Sequence, residues 1–413
     1  MTPPDPLDGR SSLARAGAAA RPDTIRAHNL AVMLGHLHRD GTLTRAELTQ
    51  RLGVSRSTVG ALVADLTQLG LVEEVVPTGG ARVGRPSHVV APRPSGPYAV
   101  AIDVDVAHVT VAAIGLGGVV LSREIVPVGP NPTTPQDTVR IVADALPRLA
   151  RTSGGTAIAG IGVSVPGAVD RRTGHVGVAP NLEWHDVALG AQLAPLAPSA
   201  APVVVGNDAD LSVLAEHRRG SARDCEDVVF LMGRIGVGAG IISGGAPLRG
   251  HDGHAGEIGH NVVDAAGPPC HCGKNGCVET YVGEGALLAA AGRAQPATDE
   301  ATAAVFADAR AGDAMALRGI RHVADALGRT LATLVNTLNP ERVLLGGFLS
   351  ELLDLAREDI ESALCRYALE ASGRSVQLVQ PTFGEDSALL GAAEVAFAAL
   401  LADPLAAVAA LRV

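Results

Sequence analysis

The residues best suited to chemistry lie between positions 256 and 279. Gly256-Glu257-Ile258-Gly259-His260 is followed, after a short linker, by Cys270-His271-Cys272-Gly273-Lys274-Asn275-Gly276-Cys277-Val278-Glu279. Three of the chain's five cysteines fall within these eight positions from Cys270 to Cys277. Thiolates this close, with glycines that let the backbone fold round an ion, suit tetrahedral Zn²⁺. His260 is the expected fourth ligand beside Cys270, Cys272 and Cys277. His271 competes for that role, but it sits between two thiolates, where its ring is expected to point away. Four protein ligands leave no open position, so the zinc is expected to be structural. The alternative is three cysteines in a reactive or merely buried loop. Glu257 and Glu279 flank the ligands and are not needed by the metal. Carboxylates accept hydrogen bonds from hydroxyls, so a loop that fixes two acids and an imidazole in one place can grip a polyhydroxylated molecule.

The Glu-Ile-Gly-His and Cys-x-Cys-Gly-x-x-Gly-Cys-x-Glu signatures resemble those of the ROK family (repressors, open reading frames and sugar kinases). The resemblance runs from about Thr24 over nearly the whole chain. It implies an α/β fold in which an N-terminal winged helix-turn-helix precedes a two-lobed, ribonuclease-H-like body of the actin and sugar-kinase kind, with a zinc loop. Gly206-Asn207-Asp208 matches the family's Gly-Asn-Asp, whose aspartate is the general base of the kinases. Pro180-Asn181-Leu182-Glu183-Trp184 matches the region whose asparagine helps close the sugar site. The implied sugar-binding set is Asn181, Asn207, Asp208, Glu257, His260 and Glu279, polar and acidic, hence suited to a neutral polyol.

The phosphate side departs from the family. The kinases' first phosphate loop reads Asp-x-Gly-x-Thr; here it is Asp103-Val104-Asp105-Val106-Ala107. A carboxylate replaces the glycine that lets backbone approach a phosphate. The second loop, Gly-Thr-Gly-x-Gly-x-Gly in the kinases, reads Gly233-Arg234-Ile235-Gly236-Val237-Gly238-Ala239-Gly240, so its hydroxyl is gone. No catalytic residue and no phosphoryl transfer are expected, and Asp208 is left to hydrogen-bond a hydroxyl. The sugar-binding set offers no obvious Lys or Arg cluster for a sugar phosphate, although Arg234 could supply a cation.

The elements that must position these residues follow from periodicity. At 413 residues the chain suggests two or three domains, and 47% hydrophobic with 18% charged residues is a globular composition. No apolar run reaches membrane-spanning length. Met1 to Pro22 lacks a signal-peptide apolar core and is expected to be a disordered tail; with few cysteines, clustered for metal, this suggests a cytoplasmic protein. A winged helix-turn-helix is expected over 23–92. The first lobe is expected over 98–205 plus 389–413, and the second, with the zinc loop, over 206–388. Strands are expected at Tyr98–Ile102, Val106–Ile114, Val119–Val128, Ile158–Val165, 203–208, Val228–Met232, Arg342–Leu345 and Val376–Val379, with a closing helix from Ala388 to Leu401.

The head is read from caps and stripes. Leu30, Met33, Leu34 and Leu37 make an apolar helical stripe. Thr44 with Glu47 is a capping box for a second helix that stops at Gly53. Ser55 caps a third helix whose buried face is Val59, Leu62, Val63 and Leu66. Two short helices joined across Gly53-Val54-Ser55 read as a helix-turn-helix, and the strands around Thr78-Gly79-Gly80 as a wing. Arg56, Ser57 and Thr58, in the first turn of the third helix, are expected to face DNA, and Arg85 in the wing to enter the minor groove. Charge agrees: residues 1–98 hold 11 Arg and 8 acids, a net of +3, against −13 for the remainder.

The sequence therefore reads as a sugar-responsive transcriptional regulator, a repressor of carbohydrate-metabolism genes, with a double-stranded DNA operator, a sugar effector and a homodimer or homotetramer as its partners. A dimer would place two recognition helices about 34 Å apart on successive major grooves. The rivals are a ROK-type sugar kinase that also binds DNA, and a regulator controlled by a protein partner.

Overall fold

A computed structural model describes residues 22–75, 89–129, 132–199, 201–295 and 297–412. In the head, α1 (Pro22–Asp40) buries the stripe Leu30, Met33, Leu34 and Leu37. After β1 (Leu43–Thr44), α2 (Arg45–Leu52) begins at the expected capping box: Glu47 N donates to Thr44 Oγ1 at 3.1 Å and Thr44 N to Glu47 Oε2 at 2.7 Å. Gly53 ends α2 at φ 65°, a left-handed cap that glycine adopts without a steric cost. Ser55 caps α3 (Arg56–Gln68), which buries Val59, Leu62, Val63 and Leu66. The wing strands β2 (Val72–Val75) and β3 (Val89–Pro92) pair antiparallel, and β1 completes a sheet of order β1-β3-β2. The expected wing tip, including Arg85, lies outside the described residues.

The body holds two five-stranded sheets. The first comprises β4 (Tyr98–Val104), β5 (His108–Gly115), β6 (Val120–Pro127), β7 (Ile158–Val165) and, further on, β11 (Val203–Asn207), with α4 (Pro135–Thr152) between β6 and β7. Its order is β11-β7-β4-β5-β6. Between β7 and β11 come β8 (Ala168–Asp170), β9 (His175–Ala179), β10 (Trp184–Val187) and α5 (Leu189–Leu193). The small separate sheet β10-β9-β8 was not expected from periodicity, because its strands are too short to establish one. The strand expected over 203–208 stops at Asn207, and Asp208 begins α6 (Asp208–Arg219).

The second sheet has the order β14-β13-β12-β15-β16. It uses β12 (Val228–Gly233), β13 (Val237–Ser243), β14 (Ala246–Pro247), β15 (Arg342–Gly347) and β16 (Gln377–Val379). Its helices are α7 (Glu279–Val282), α8 (Glu284–Ala290), α9 (Asp299–Arg310), α10 (Ala314–Leu338), α11 (Phe348–Tyr367) and α12 (Glu370–Ser375). Gly346-Gly347 ends β15 in register with Met232 and Gly233. The single closing helix expected over 388–401 is three: α13 (Ser387–Ala396), α14 (Ala398–Ala402) and α15 (Pro404–Leu411). Pro404, which lacks an N–H, opens α15, where no donor is needed. Helix α13 packs on β4, β7 and α6, while α14 and α15 meet α1 of the head. No helix among the described residues is long and apolar enough to cross a membrane.

Candidate functional site

The cysteine loop folds back on itself. Side-chain donor atoms of His260, Cys270, Cys272 and Cys277 all lie within 4.8 Å of one another. Cys272 Sγ is 3.6 Å from Cys277 Sγ, and Cys270 Sγ is 3.7 Å from His260 Nδ1. A tetrahedron with Zn–S bonds of about 2.3 Å has edges of about 3.8 Å, so these four donors fit a tetrahedral ion. His271 is exposed and outside the cluster. The loop is fixed to β13 by Gly256, at φ 100°, where an added Cβ would stand 2.2 Å from Ala239 O. That close approach sets the path of the chain into the short 3₁₀ turn Ile258–His260.

Glu279 joins this cluster to a second one. Its Oε1 accepts from Cys270 Sγ at 2.7 Å and lies 3.7 Å from His260 Nδ1. Its Oε2 faces the β12–β13 turn: a Cβ built on Gly236 would stand 2.9 Å from Glu279 Oε2 and 3.7 Å from Asn181 Nδ2. One built on Gly238 would be 3.9 Å from Asp208 Oδ1. Asn181, Asp208 and Glu279, which are 98 residues apart at the extremes of the sequence, thus surround one glycine-rich turn. Asp208 is buried at the start of α6, and burial pushes its carboxyl up to about 6, against the pull of Arg234.

Asn207 and Glu257 stand differently. Asn207 is the N-cap of α6: its Oδ1 accepts from Ala209 N at 2.9 Å and Asp210 N at 3.1 Å, and its Nδ2 donates to Gly167 O at 3.1 Å. Its side chain therefore first holds the β11–α6 corner. Glu257 is exposed and adds to the negative field on Asp210. Asp210 itself was missed from sequence. Burial pushes its carboxyl up to about 7, opposed by Arg171 and Arg249, and Asp208 and Glu257 raise it further. The only signal was its place one turn into the helix that Asn207 caps.

On the phosphate side, Arg234 reaches from the β12–β13 turn across the cleft and pairs with Asp105 at the end of β4. Glu385 Oε2 is 3.9 Å from the same guanidinium. Burial works against the charge on Arg234, but Asp103, Asp105, Asp208 and Glu385 outweigh it and hold the proton more firmly than usual. Burial also raises Asp103, and it pushes Glu284 up to about 7. Arg234 is therefore matched within the protein by several carboxylates, and this end of the cleft is acidic.

In the head, Arg56 and Ser57 are exposed and Thr58 is half-buried at the N-terminus of α3. Ser55 Oγ accepts from Thr58 N at 3.2 Å, and the hydroxyls of Ser57 and Thr58 lie 2.8 and 2.9 Å from it. The two hydroxyls brace the cap while Arg56 extends into solvent.

A winged helix on a duplicated ribonuclease-H-like body, with a His-Cys₃ loop beside the cleft, defines a sugar-kinase-like protein carrying a DNA-binding head. The chain belongs to the ROK family, which matches residues 99–399; residues 31–82 match the MarR family. A glucokinase from Halalkalibacterium halodurans is 33% identical over 318 residues, covering 70% of this chain and 92% of the relative. A xylose repressor from Bacillus spizizenii is 26% identical over 376 residues, covering 90% of this chain and 95% of the relative. The crystal structure of a ROK family transcriptional regulator, a homologue of the E. coli MLC protein, superposes with a TM-score of 0.74 at 24% identity. It covers 93% of this chain and 99% of that one, so head and body share its fold.

Proposed function

We propose that the protein is a sugar-responsive transcriptional repressor of carbohydrate-metabolism genes and that it transfers no phosphoryl group. The observation that carries this reading is the Arg234–Asp105 pair across the cleft, where the two phosphate loops of a ROK kinase would meet a triphosphate. The pair fills that place beside carboxylates that repel a nucleotide. Polar groups on the sugar side survive next to it, and a winged helix precedes both.

In this reading Asn181, Asp208, Glu257 and Glu279 hydrogen-bond the hydroxyls of a neutral sugar. His260 Nδ1 faces the cysteines, which leaves Nε2 for the sugar. Asn207 contributes mainly by fixing the corner from which Asp208 projects. Zn²⁺ on His260, Cys270, Cys272 and Cys277 is structural, holding Glu279 and His260 at the site. Arg56, Ser57 and Thr58 meet DNA in the major groove, with Arg85 in the minor groove beside them. A homodimer or homotetramer brings two heads to an operator with two half-sites. The xylose repressor, which matches head and body together, supports the regulatory reading. The glucokinase relative favours the rival in which the body still phosphorylates a sugar.

The test combines three measurements on one preparation. Calorimetry with D-xylose, D-glucose and their phosphates reads the sugar site. Selection from random duplex DNA, followed by gel shifts with and without sugar, reads the head. Coupled ADP release with each sugar reads kinase activity. We expect a sugar that binds, a selected duplex whose affinity changes with that sugar, and no ADP release above background. Sugar-dependent ADP production would establish the kinase reading.

A further inference from the structure

The sugar site and the DNA-binding head lie at opposite ends of one helix. Asn207 and Asp208 stand at the N-terminus of α6, and Arg218 and Arg219 form its last turn. Twelve residues at 1.5 Å each make a rod of about 18 Å. At its far end the rod enters a closed ring of buried polar contacts. Arg219 Nη1 donates to Gly117 O at 2.6 Å, and Gly117 N donates to His38 Nδ1 at 3.0 Å. His38 Nε2 lies 3.2 Å from Glu394, and Glu394 lies 2.9 Å from Arg219 Nε, which closes the ring. Arg218 Nη1 adds a third contact to Glu394 at 3.0 Å. His38 belongs to α1 of the head, Gly117 to the β5–β6 turn, and Glu394 to α13. Their side chains are almost wholly buried: Glu394 is 0%, His38 4% and Arg219 8% exposed.

The hydrogen bonds fix the tautomer of His38. Gly117 N can only donate, so Nδ1 accepts, and Nε2 carries the proton toward the carboxylate. A second link runs beside the ring. Arg223, in the turn after α6, pairs with Asp40 at the end of α1, and Asp40 also pairs with Arg51 of α2, so the link reaches the helix-turn-helix.

The rod has little slack. An added Cβ at Gly240 of β13 would stand 2.2 Å from Ala209 O, and one at Gly391 of α13 would stand 1.9 Å from Leu211 O. At both places backbone meets backbone, with no side chain between them to absorb a shift. Movement at Asp208 must then travel along α6 or move β13 and α13 with it. Beyond the ring there is room to move. A cavity of about 330 Å³ lies between α1 and α6, bordered by Val32, Gly35, Arg39 and Leu401 as well as His38, Arg219 and Glu394.

We propose that α6 is the element that couples sugar to DNA, and that His38, Glu394, Arg219 and the Arg223–Asp40 pair are positioning residues that pass its displacement to α1. This rests on the sugar-repressor reading above, and it adds the route. Sugar hydrogen-bonded to Asp208 shifts α6; the ring and the Arg223–Asp40 pair convert that shift into a change in how the head is held. The sugar-bound and sugar-free states then differ in affinity for DNA.

The test uses the full-length protein, the D-sugar found to bind it (D-xylose or D-glucose) and the duplex it selects from random DNA. Operator affinity is measured with and without saturating sugar, and sugar affinity separately, for wild type, Glu394→Gln, Asp40→Asn and Arg223→Ala. Wild type should show an affinity ratio within the usual range of allosteric coupling, about 5–150-fold. In the variants sugar affinity and sugar-free DNA affinity should stay within about threefold of wild type, while the ratio falls toward one. That separation is what loss of fold or loss of either site would not produce. Should Glu394→Gln fail to fold, Arg223→Ala and Asp40→Asn, whose pair lies nearer the surface, decide the matter. Ratios equal to wild type in the folded variants overturn the route and leave the repressor reading intact. A wild type that binds no sugar or no DNA removes the repressor reading itself, and the route with it.

Discussion

Asp208 and Glu394 carry opposite perturbations, and each has a pH signature. Burial raises Asp208 to about 6, so at pH 5 it is mostly protonated and at pH 8 mostly ionised. The ionised form is the better acceptor for a sugar hydroxyl, at roughly 1.5–3 kcal/mol per bond. Sugar affinity should therefore rise as pH increases through 6, as measured by calorimetry at pH 5 and 8. Asp208→Asn should weaken binding at pH 8 by at least about tenfold, equivalent to 1.4 kcal/mol, and should flatten the pH dependence attributable to this group. Because its folded-state carboxyl holds the proton more tightly than the unfolded chain does, ionising Asp208 subtracts stability as pH rises from about 4 to above 6, and Asp210 does the same up to about 7. Glu394 is the reverse. Although burial opposes it, His38, Arg219 and Arg218 hold its carboxyl far below the usual range. Its contribution is fully present above the ordinary glutamate value and is lost only as pH falls well below it. Glu394→Ala leaves buried Arg219 without its carboxylate, and should cost roughly 3–5 kcal/mol in urea unfolding, the usual penalty for breaking a buried pair from one side. Equal stability of this variant and wild type would mean that water replaces the carboxylate.

At the scale of single elements, the cysteine loop and α3 are each built from neighbouring residues. Residues 256–279 contain short 3₁₀ and α turns, isolated bridges at Val262–Cys277 and Pro269–Asn275, and little regular structure. If the four donors hold Zn²⁺ as proposed, the order of this loop comes largely from the ion, because binding free energy is folding free energy in such a loop. Cys277→Ser should lose zinc by elemental analysis and open the loop to limited proteolysis, with weakened sugar binding because Glu279 and His260 lose their anchor. Full zinc occupancy in that variant would exclude Cys277 as a ligand. In α3 the cap is closed by Ser55, Ser57 and Thr58, so substituting Arg56 leaves the helix start intact. Arg56→Ala should weaken binding to the selected duplex by roughly 1–3 kcal/mol if the guanidinium reads a base, and about equally on all duplexes if it meets only phosphate. Gel shifts on specific and scrambled duplexes distinguish the two, and unchanged affinity on both would place α3 elsewhere.

Across the whole molecule, the Arg234–Asp105 pair spans the cleft between the lobes. Restoring the family's residues by Asp105→Gly together with Arg234→Thr removes the pair and one carboxylate. The double variant should bind a non-hydrolysable ATP analogue at least about tenfold more tightly than wild type in calorimetry. No gain would mean that other groups, Glu284 and Glu385 among them, already exclude the nucleotide. Much of this protein is determined locally and so was legible in the sequence. Caps act over three residues, so Thr44, Glu47 and Ser55 announced their helices. The three cysteines fall within eight positions, which with His260 suggested a metal cluster, and the resemblance drew attention to Asn181 and Asp208. Other features depend on how distant segments pack. Asn207 ends a strand, as its neighbours suggested, and the turn of the chain there also makes it the cap of α6. Arg234 meets Asp105 across 129 residues, and His38 meets Glu394 across 356. No spacing or periodicity encodes such pairs. They exist because β4 and the β12–β13 turn face one cleft, and because α13 returns to the first lobe beneath the head, so the tertiary structure alone decided which charges meet and are buried together.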